Sequence, residues 1–340
     1  MQLDRYQCSF STFERAGYSQ EEAKVIMLKS VDLAHKAQIL FHNETQQQGE
    51  NNNNETRIAL SLGPFGASLT PGREFDGYYT PPYGPKAYSV EGENCNSFGV
   101  RHGRERELKS IDALAQFHYE RLLVFLSDTD TWNTINCLAF ETVPLVREVR
   151  AIRKTMAWLK REIDRRNAES VVEIGIKPWW ISFVFPDGQF PEMHGQGGTK
   201  LTAREVVAAT LDSTGQDEST GIDTRPFPTG LGVNCTPIGF VPGILKEMVE
   251  AVEECWDKSG AKPWLIVYPN GGGIYDPVSQ TWHVQEGESQ ETKGHTWAEE
   301  LGEIVVRIIE ERTTWGDIVV GGCCKTGPDQ IRQLSRKLSL

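Results

Sequence analysis

The chain has 340 residues and a formal net charge of −12, a length that suits one large α/β domain or two smaller ones. The acidic balance opposes nucleic acid or an anionic membrane surface as partner, because both repel it at long range. No apolar run approaches the ~20 residues of a membrane span, and Met1-Gln2-Leu3-Asp4-Arg5 lacks the apolar core of a secretory signal.

Taken along the chain, residues 20–40 carry helical periodicity, with Ala23, Met27, Ser30, Ala34 and Ala37 on one face. The run 58–63 reads as a strand and 105–126 as a helix; a strand at 136–141 and a helix at 143–165 follow. Next come a strand at 178–185, a helix at 201–212, a strand at 230–235 and a helix at 241–257. The last two pairs are a strand at 264–269 with a helix at 296–312, and a strand at 317–322 with a helix at 328–338. Six strands alternating with helices imply a parallel sheet joined by right-handed crossovers, either an open doubly wound sheet or a closed barrel. Polar residues favour the barrel: Glu141, Cys235, Asn270 and the Cys323-Cys324 pair all fall at the C-terminal ends of different strands, where barrel enzymes assemble their sites. The polar stretches 43–57, 213–229 and 284–295 read as mobile surface insertions, none as a domain boundary, so the expectation for 1–340 is one domain.

Seven scattered cysteines in a chain of this length indicate reduced thiols and a cytoplasmic protein, not a disulfide framework. Three of them carry the chemistry. Gly321-Gly322-Cys323-Cys324 follows Ile318-Val319-Val320, and the Gly-Gly step relaxes strand alternation so that both thiols can enter one pocket. Gly232-Val233-Asn234-Cys235 ends another strand in the same way. Three strand-end thiols suit a catalytic zinc with one position open, whereas structural zinc takes four protein ligands. On spacing alone packing remains an equal reading: Cys235 as a small buried hydrophobe, the vicinal pair beneath the last helix. Redox chemistry is the weaker alternative, since C-x-x-C is absent. Glu141 has two readings that position leaves open, a cap for the helix that follows or an anchor for a ligand ammonium group. Asn270-Gly271-Gly272-Gly273 lacks the helix that a phosphate cradle needs directly after its glycines, so it reads as backbone approaching a small ligand or the metal.

Phe140-Glu141-Thr142-Val143-Pro144, Gly232 to Pro237, Tyr268-Pro269-Asn270 and Gly321 to Cys324 occur in the order found in the homocysteine S-methyltransferase family. Ser61 to Ala67 resembles that family's third-strand segment, and Tyr6-Gln7-Cys8-Ser9-Phe10 the segment just after its second strand. The resemblance runs over nearly the whole chain and is nearest to the branch that uses S-methylmethionine or S-adenosylmethionine. It implies a (β/α)8 TIM-type barrel in which Cys235, Cys323 and Cys324 ligate Zn2+ and the homocysteine sulfur takes the fourth position. It further implies that Glu141 and Asn234 hold the amino-acid end of homocysteine. Tyr6, Trp179 and Trp180 are candidates to face the sulfonium donor, with ordinary packing the favoured reading for the Trp pair. Because Tyr6 lies so near the start, the resemblance also implies that this chain lacks the first strand, the first helix and most of the second strand. Two rival functions remain, transfer to another thiol or selenol, and a non-catalytic truncated paralogue that retains the zinc site.

Overall fold

The computed structural model describes residues 2–3, 6–47, 56–99, 103–195, 197–212, 226–256, 260–272, 274–276, 281–283, 290–311 and 314–338. In chain order the elements are β1 (Gln2–Leu3), α1 (Phe10–Arg15), α2 (Gln20–Gln47), β2 (Ala59–Leu62), α3 (Gly103–Leu126) and α4 (Thr129–Thr134). Then follow β3 (Cys137–Val143), α5 (Val146–Glu169), β4 (Trp179–Phe183), α6 (Ala203–Thr210), β5 (Gly230–Asn234) and α7 (Val241–Cys255). The chain continues with β6 (Trp264–Tyr268), β7 (Ile274–Asp276), β8 (Thr281–His283), α8 (Gln290–Glu311), β9 (Ile318–Val320) and α9 (Pro328–Leu338).

Seven strands form one sheet in the order β1-β2-β3-β4-β5-β6-β9, and every pairing is parallel. The six expected strands are all present, and a two-residue strand, β1, precedes them in register with Ala59 and Leu60. A two-residue strand cannot show alternation, which is why periodicity misses it. β7 and β8 form a separate antiparallel hairpin. Two expected insertions are in part helical. Residues 43–47 complete α2 and residues 290–295 open α8, because Gln, Glu and Lys are good helix formers. The remainder of those stretches, 48–55 and 284–289, and residues 213–225 lie outside the described residues. No helix among the described residues is long and apolar enough to cross a membrane.

The sheet has two buried faces. On one, Leu60, Phe140, Trp179, Ile181, Val233 and Leu265 share a core with helix residues such as Met27 of α2. On the other, Ala139, Trp180, Ile266 and Tyr268 form a small inner cluster joined by Val319 and Cys323. The neighbours Trp179 and Trp180 thus point to opposite faces, as the strand period requires. The sheet curls around the inner face. β3 and β6 are three strands apart, roughly 14 Å in a flat sheet at the usual strand spacing, yet the Tyr268 hydroxyl on β6 lies 2.7 Å from Glu141 on β3.

Candidate active site

The functional side chains gather at the C-terminal ends of the strands. Cys235 directly follows β5, and Cys323-Cys324 follow β9 after two glycines. Backbone bonds extend the β6–β9 pairing past the strand ends: Gly321 N–H donates to Val267 O (3.0 Å), Cys323 N–H to Pro269 O (2.9 Å) and Gly271 N–H to Cys324 O (2.8 Å). Glycine is required at this clasp. A Cβ on Gly271 would lie 2.5 Å from the Lys325 carbonyl oxygen, and one on Gly322 would lie 2.2 Å from Thr326 Cγ2. The close backbone approach expected of the Asn270-Gly271 turn is therefore to the cysteine turn itself.

The three sulfur atoms lie within 4.8 Å of one another, and Cys235 Sγ is 3.8 Å from Cys324 Sγ. Tetrahedral zinc with Zn–S bonds of about 2.3 Å separates its sulfur ligands by roughly 3.8 Å, so the donor set and its spacing fit such an ion. The thiols also interact electrically. Hydrogen bonds from Cys235 and Cys323 hold the Cys324 thiol well below its ordinary value. Hydrogen bonding to Cys323 and Cys324, together with burial, pushes the Cys235 thiol up. The first proton leaves the cluster easily and the later ones do not, a set of sites that a dication at their centre would discharge together.

Glu141 is 3% exposed and sits within β3, not at the start of α5. The helix-cap reading therefore falls: α5 begins at Val146, and its N-cap Leu145 has no side-chain cap. Both carboxylate oxygens are held, Oε2 by the Ser61 hydroxyl at 2.5 Å and Oε1 by the Tyr268 hydroxyl at 2.7 Å. Next to it, Thr142 adopts φ 57°, a left-handed conformation that a β-branched residue tolerates poorly. Asn234 clamps it. Asn234 Oδ1 accepts from Thr142 N–H and Asn234 Nδ2 donates to Thr142 Oγ1, both at 2.8 Å. The same Nδ2 lies 3.9 Å from Cys323 Sγ. Asn234 is thus brought to the site, with both heteroatoms of its amide engaged by the protein.

Tyr6 lies beside the cysteines, its side chain hydrogen-bonded to Thr142. Burial, with the charges of Glu74 and Cys235 behind it, raises the Tyr6 phenol well above its ordinary value, so it stays neutral. Its backbone is fixed from the residue after β2, where Gly63 N–H donates to Tyr6 O at 3.2 Å, and from α3, where Arg121 Nη2 donates to the same oxygen at 3.3 Å. Trp179 packs on the helix side, edge-on to Phe140 with ring centroids 6.0 Å apart, as the packing reading expected. Trp180 faces inward and donates Nε1–H to the Tyr268 hydroxyl at 3.2 Å. Sequence reasoning missed Thr142, Ser61, Ser182, Tyr268 and Glu74 as site residues. Glu74, on the loop after β2, has a carboxyl raised chiefly by burial and also by Asp76 and Cys324. Its one signal was an acidic residue in a Pro-Gly-led loop at a strand's C-terminal end.

The curled parallel α/β sheet is consistent with a TIM-type barrel, and its C-terminal edge carries a buried carboxylate and three thiols spaced closely enough to hold a metal ion. A profile of homocysteine S-methyltransferases matches residues 4–338, and the chain belongs to that family, whose reaction is methyl transfer to homocysteine. Among curated relatives, homocysteine S-methyltransferase YbgG of Bacillus subtilis is 27% identical over 331 residues, which are 97% of this chain and 76% of the relative. Homocysteine S-methyltransferase 1 of Arabidopsis thaliana is 24% identical over 336 residues, covering 98% and 76%. The selenocysteine methyltransferase of Astragalus bisulcatus is 25% identical over 342 residues, again covering 98% and 76%. The fold is shared with the metallated form of the homocysteine methyltransferase MmuM from Escherichia coli, with a TM-score of 0.56 and 23% identity over 99% of this chain and 78% of that one.

Proposed function

We propose that this chain transfers a methyl group from a sulfonium donor, S-methylmethionine or S-adenosylmethionine, to the sulfur of homocysteine, giving methionine. Cys235, Cys323 and Cys324 would hold Zn2+, and the sheet that carries them is read as the greater part of a (β/α)8 barrel. The observation that carries the reading is the convergence of three Sγ atoms within 4.8 Å at the ends of two strands, in a chain of this family. Bound there, zinc supplies one thing: it removes the proton of a thiol that otherwise titrates near ~8.5 and keeps the sulfur as a nucleophile.

The protein's own groups do the rest. Three thiolates exceed the charge of a dication, which leaves electron density on a further sulfur. Glu141 takes the ammonium group of homocysteine through a charge-assisted hydrogen bond. The Thr142–Asn234 clamp fixes the irregular stretch of β3 on which that carboxylate sits. Tyr6, kept neutral by burial, offers an aromatic face to the sulfonium. The methyl carbon beside S⁺ is already electrophilic, so the protein mainly has to align donor and acceptor in line. The need for three reduced thiols supports a cytoplasmic location. A selenol acceptor is the second reading, favoured by the similarity to a plant selenocysteine methyltransferase.

Calorimetry on the zinc-loaded protein tests this. Homocysteine should bind with release of about one proton near neutral pH, giving a heat that varies with the ionisation enthalpy of the buffer, whereas homoserine should not. Buffer-independent heat for homocysteine refutes ligation of its sulfur. Product analysis with homocysteine and selenocysteine against both sulfonium donors then separates the acceptor and donor readings.

A further inference from the structure

We infer that Tyr268 is a positioning residue for the substrate-binding carboxylate, and that Trp180 and Ser182 act through it. This rests on the reading of Glu141 as the ammonium anchor. The four residues form one hydrogen-bonded chain across the concave face of the sheet, beginning at Trp180 on β4. Trp180 Nε1 meets the Tyr268 hydroxyl at 3.2 Å, Ser182 Oγ meets the same hydroxyl at 2.7 Å, and that hydroxyl meets Glu141 Oε1 at 2.7 Å. Ser61 on β2 closes the other end on Glu141 Oε2.

The order of protons follows from chemistry. An indole N–H only donates, and an ionised carboxylate only accepts. The Tyr268 oxygen therefore receives the Trp180 proton and sends its own to Glu141, which leaves Ser182 to donate to Tyr268. Every proton in the chain then points towards Glu141, and each bond polarises the next. Tyr268 keeps its proton, because burial and then the neighbouring Glu141 charge raise its phenol well above the ordinary value. All four side chains lie on or between strands and are buried, so the carboxylate is held in one orientation before any ligand arrives. The geometry thus gives Trp180 a task beyond the packing or sulfonium contact expected for it.

The test uses zinc-loaded Tyr268→Phe, Trp180→Phe and Glu141→Gln, each compared with wild type for bound zinc, melting temperature, kcat and homocysteine KM. Tyr268→Phe keeps the ring and removes only the donor. It should raise homocysteine KM about five- to tenfold, with kcat within about twofold and zinc unchanged. Trp180→Phe, one bond further away, should raise KM by about two- to threefold. In the Glu141→Gln background, Tyr268→Phe should add little, because the two act as one unit. Wild-type KM in both aromatic variants, with Glu141→Gln impaired, overturns this inference and leaves the anchor reading intact. An equal rise from Tyr268→Phe with or without Glu141 also overturns it, since Tyr268 then acts elsewhere. An unaltered KM in Glu141→Gln overturns the anchor reading and this inference together. If Tyr268→Phe does not fold, the Trp180→Phe comparison decides.

Discussion

Replacing Asn234 by Ala tests whether its amide serves the backbone or the ligand. The side chain is 1% exposed, and it gives Thr142 an acceptor for its N–H and a donor for its hydroxyl, both at 2.8 Å. Removing it strands a buried N–H, which costs about 1–3 kcal/mol, and loses a second bond worth about 1 kcal/mol. Against this, Thr142 at φ 57° stores about 1–3 kcal/mol of strain, part of which is released once the clamp is gone. The net loss expected is about 1–3 kcal/mol, read by urea denaturation at one fixed free zinc concentration, because metal binding would otherwise shift the midpoint. Thr142→Gly is the companion variant. It keeps the N–H and relieves the strain, so its stability should stay within about 1 kcal/mol of wild type. The reasoning fails if Asn234→Ala keeps wild-type stability while homocysteine binding weakens. The amide would then serve the amino-acid end of the ligand, the role that the family resemblance implied.

Metal analysis of the purified protein should find about one zinc per chain, lost in Cys235→Ser and Cys323→Ser and kept in Cys255→Ser, whose thiol is exposed and distant in role. Equal zinc in all three variants would remove the cluster from consideration. Stability should fall as pH drops below about 6.5, through His118. Burial lowers the folded-state pKa of His118 even though Glu148 accepts from its Nε2 at 3.0 Å, so the unfolded chain takes up its proton first and gains stability on acidification. His118→Gln should flatten that limb of the pH–stability curve, and an unchanged slope would place the effect elsewhere.

What could be read from the sequence depended on range. The six expected strands came through within one or two residues because apolar runs alternate with long helical patterns, and only β3 runs on, to Val143; β1, β7 and β8, of two or three residues each, are too short to show a period. On α2, Ala23, Met27, Ser30 and Ala34 do form the buried face, but Ala37 is exposed, since the helix leaves the core before its C-terminal turns. α1 and α4, of six residues each, are too short to show a period and are fixed by Ser9 and Asp128 as N-caps. The cysteines were legible because a strand end is a sequence feature. The network around Glu141 was not, because its partners are 80 and 127 positions away in the chain. Nothing in the local pattern of Ser61 or Tyr268 distinguishes a hydroxyl aimed at a carboxylate from one that fills space.

The backbone itself marks the site. Among the described residues, the non-glycine residues with positive φ are Thr142, Cys235 and Lys325. One directly follows Glu141, one is a candidate ligand and one directly follows Cys324. Glycine would relieve about 1–3 kcal/mol at each position, so a chain tuned for backbone comfort alone would carry it there. Each residue instead supplies a group that glycine lacks. Thr142 gives a hydroxyl to Asn234 and Tyr6, and Cys235 gives a sulfur. Lys325 adds a positive charge beside Cys324, secondary to the hydrogen bonds from Cys235 and Cys323. At Thr142 the pairing of β3 with β4 shifts register between Phe140 and Val143, so the left-handed residue sits in a bulge, a device that re-aims neighbouring side chains without ending the strand. The strained backbone thus flanks both Glu141 and the thiols, and the hydrogen bonds at Asn234, Pro269 and Gly271 oppose its relaxation.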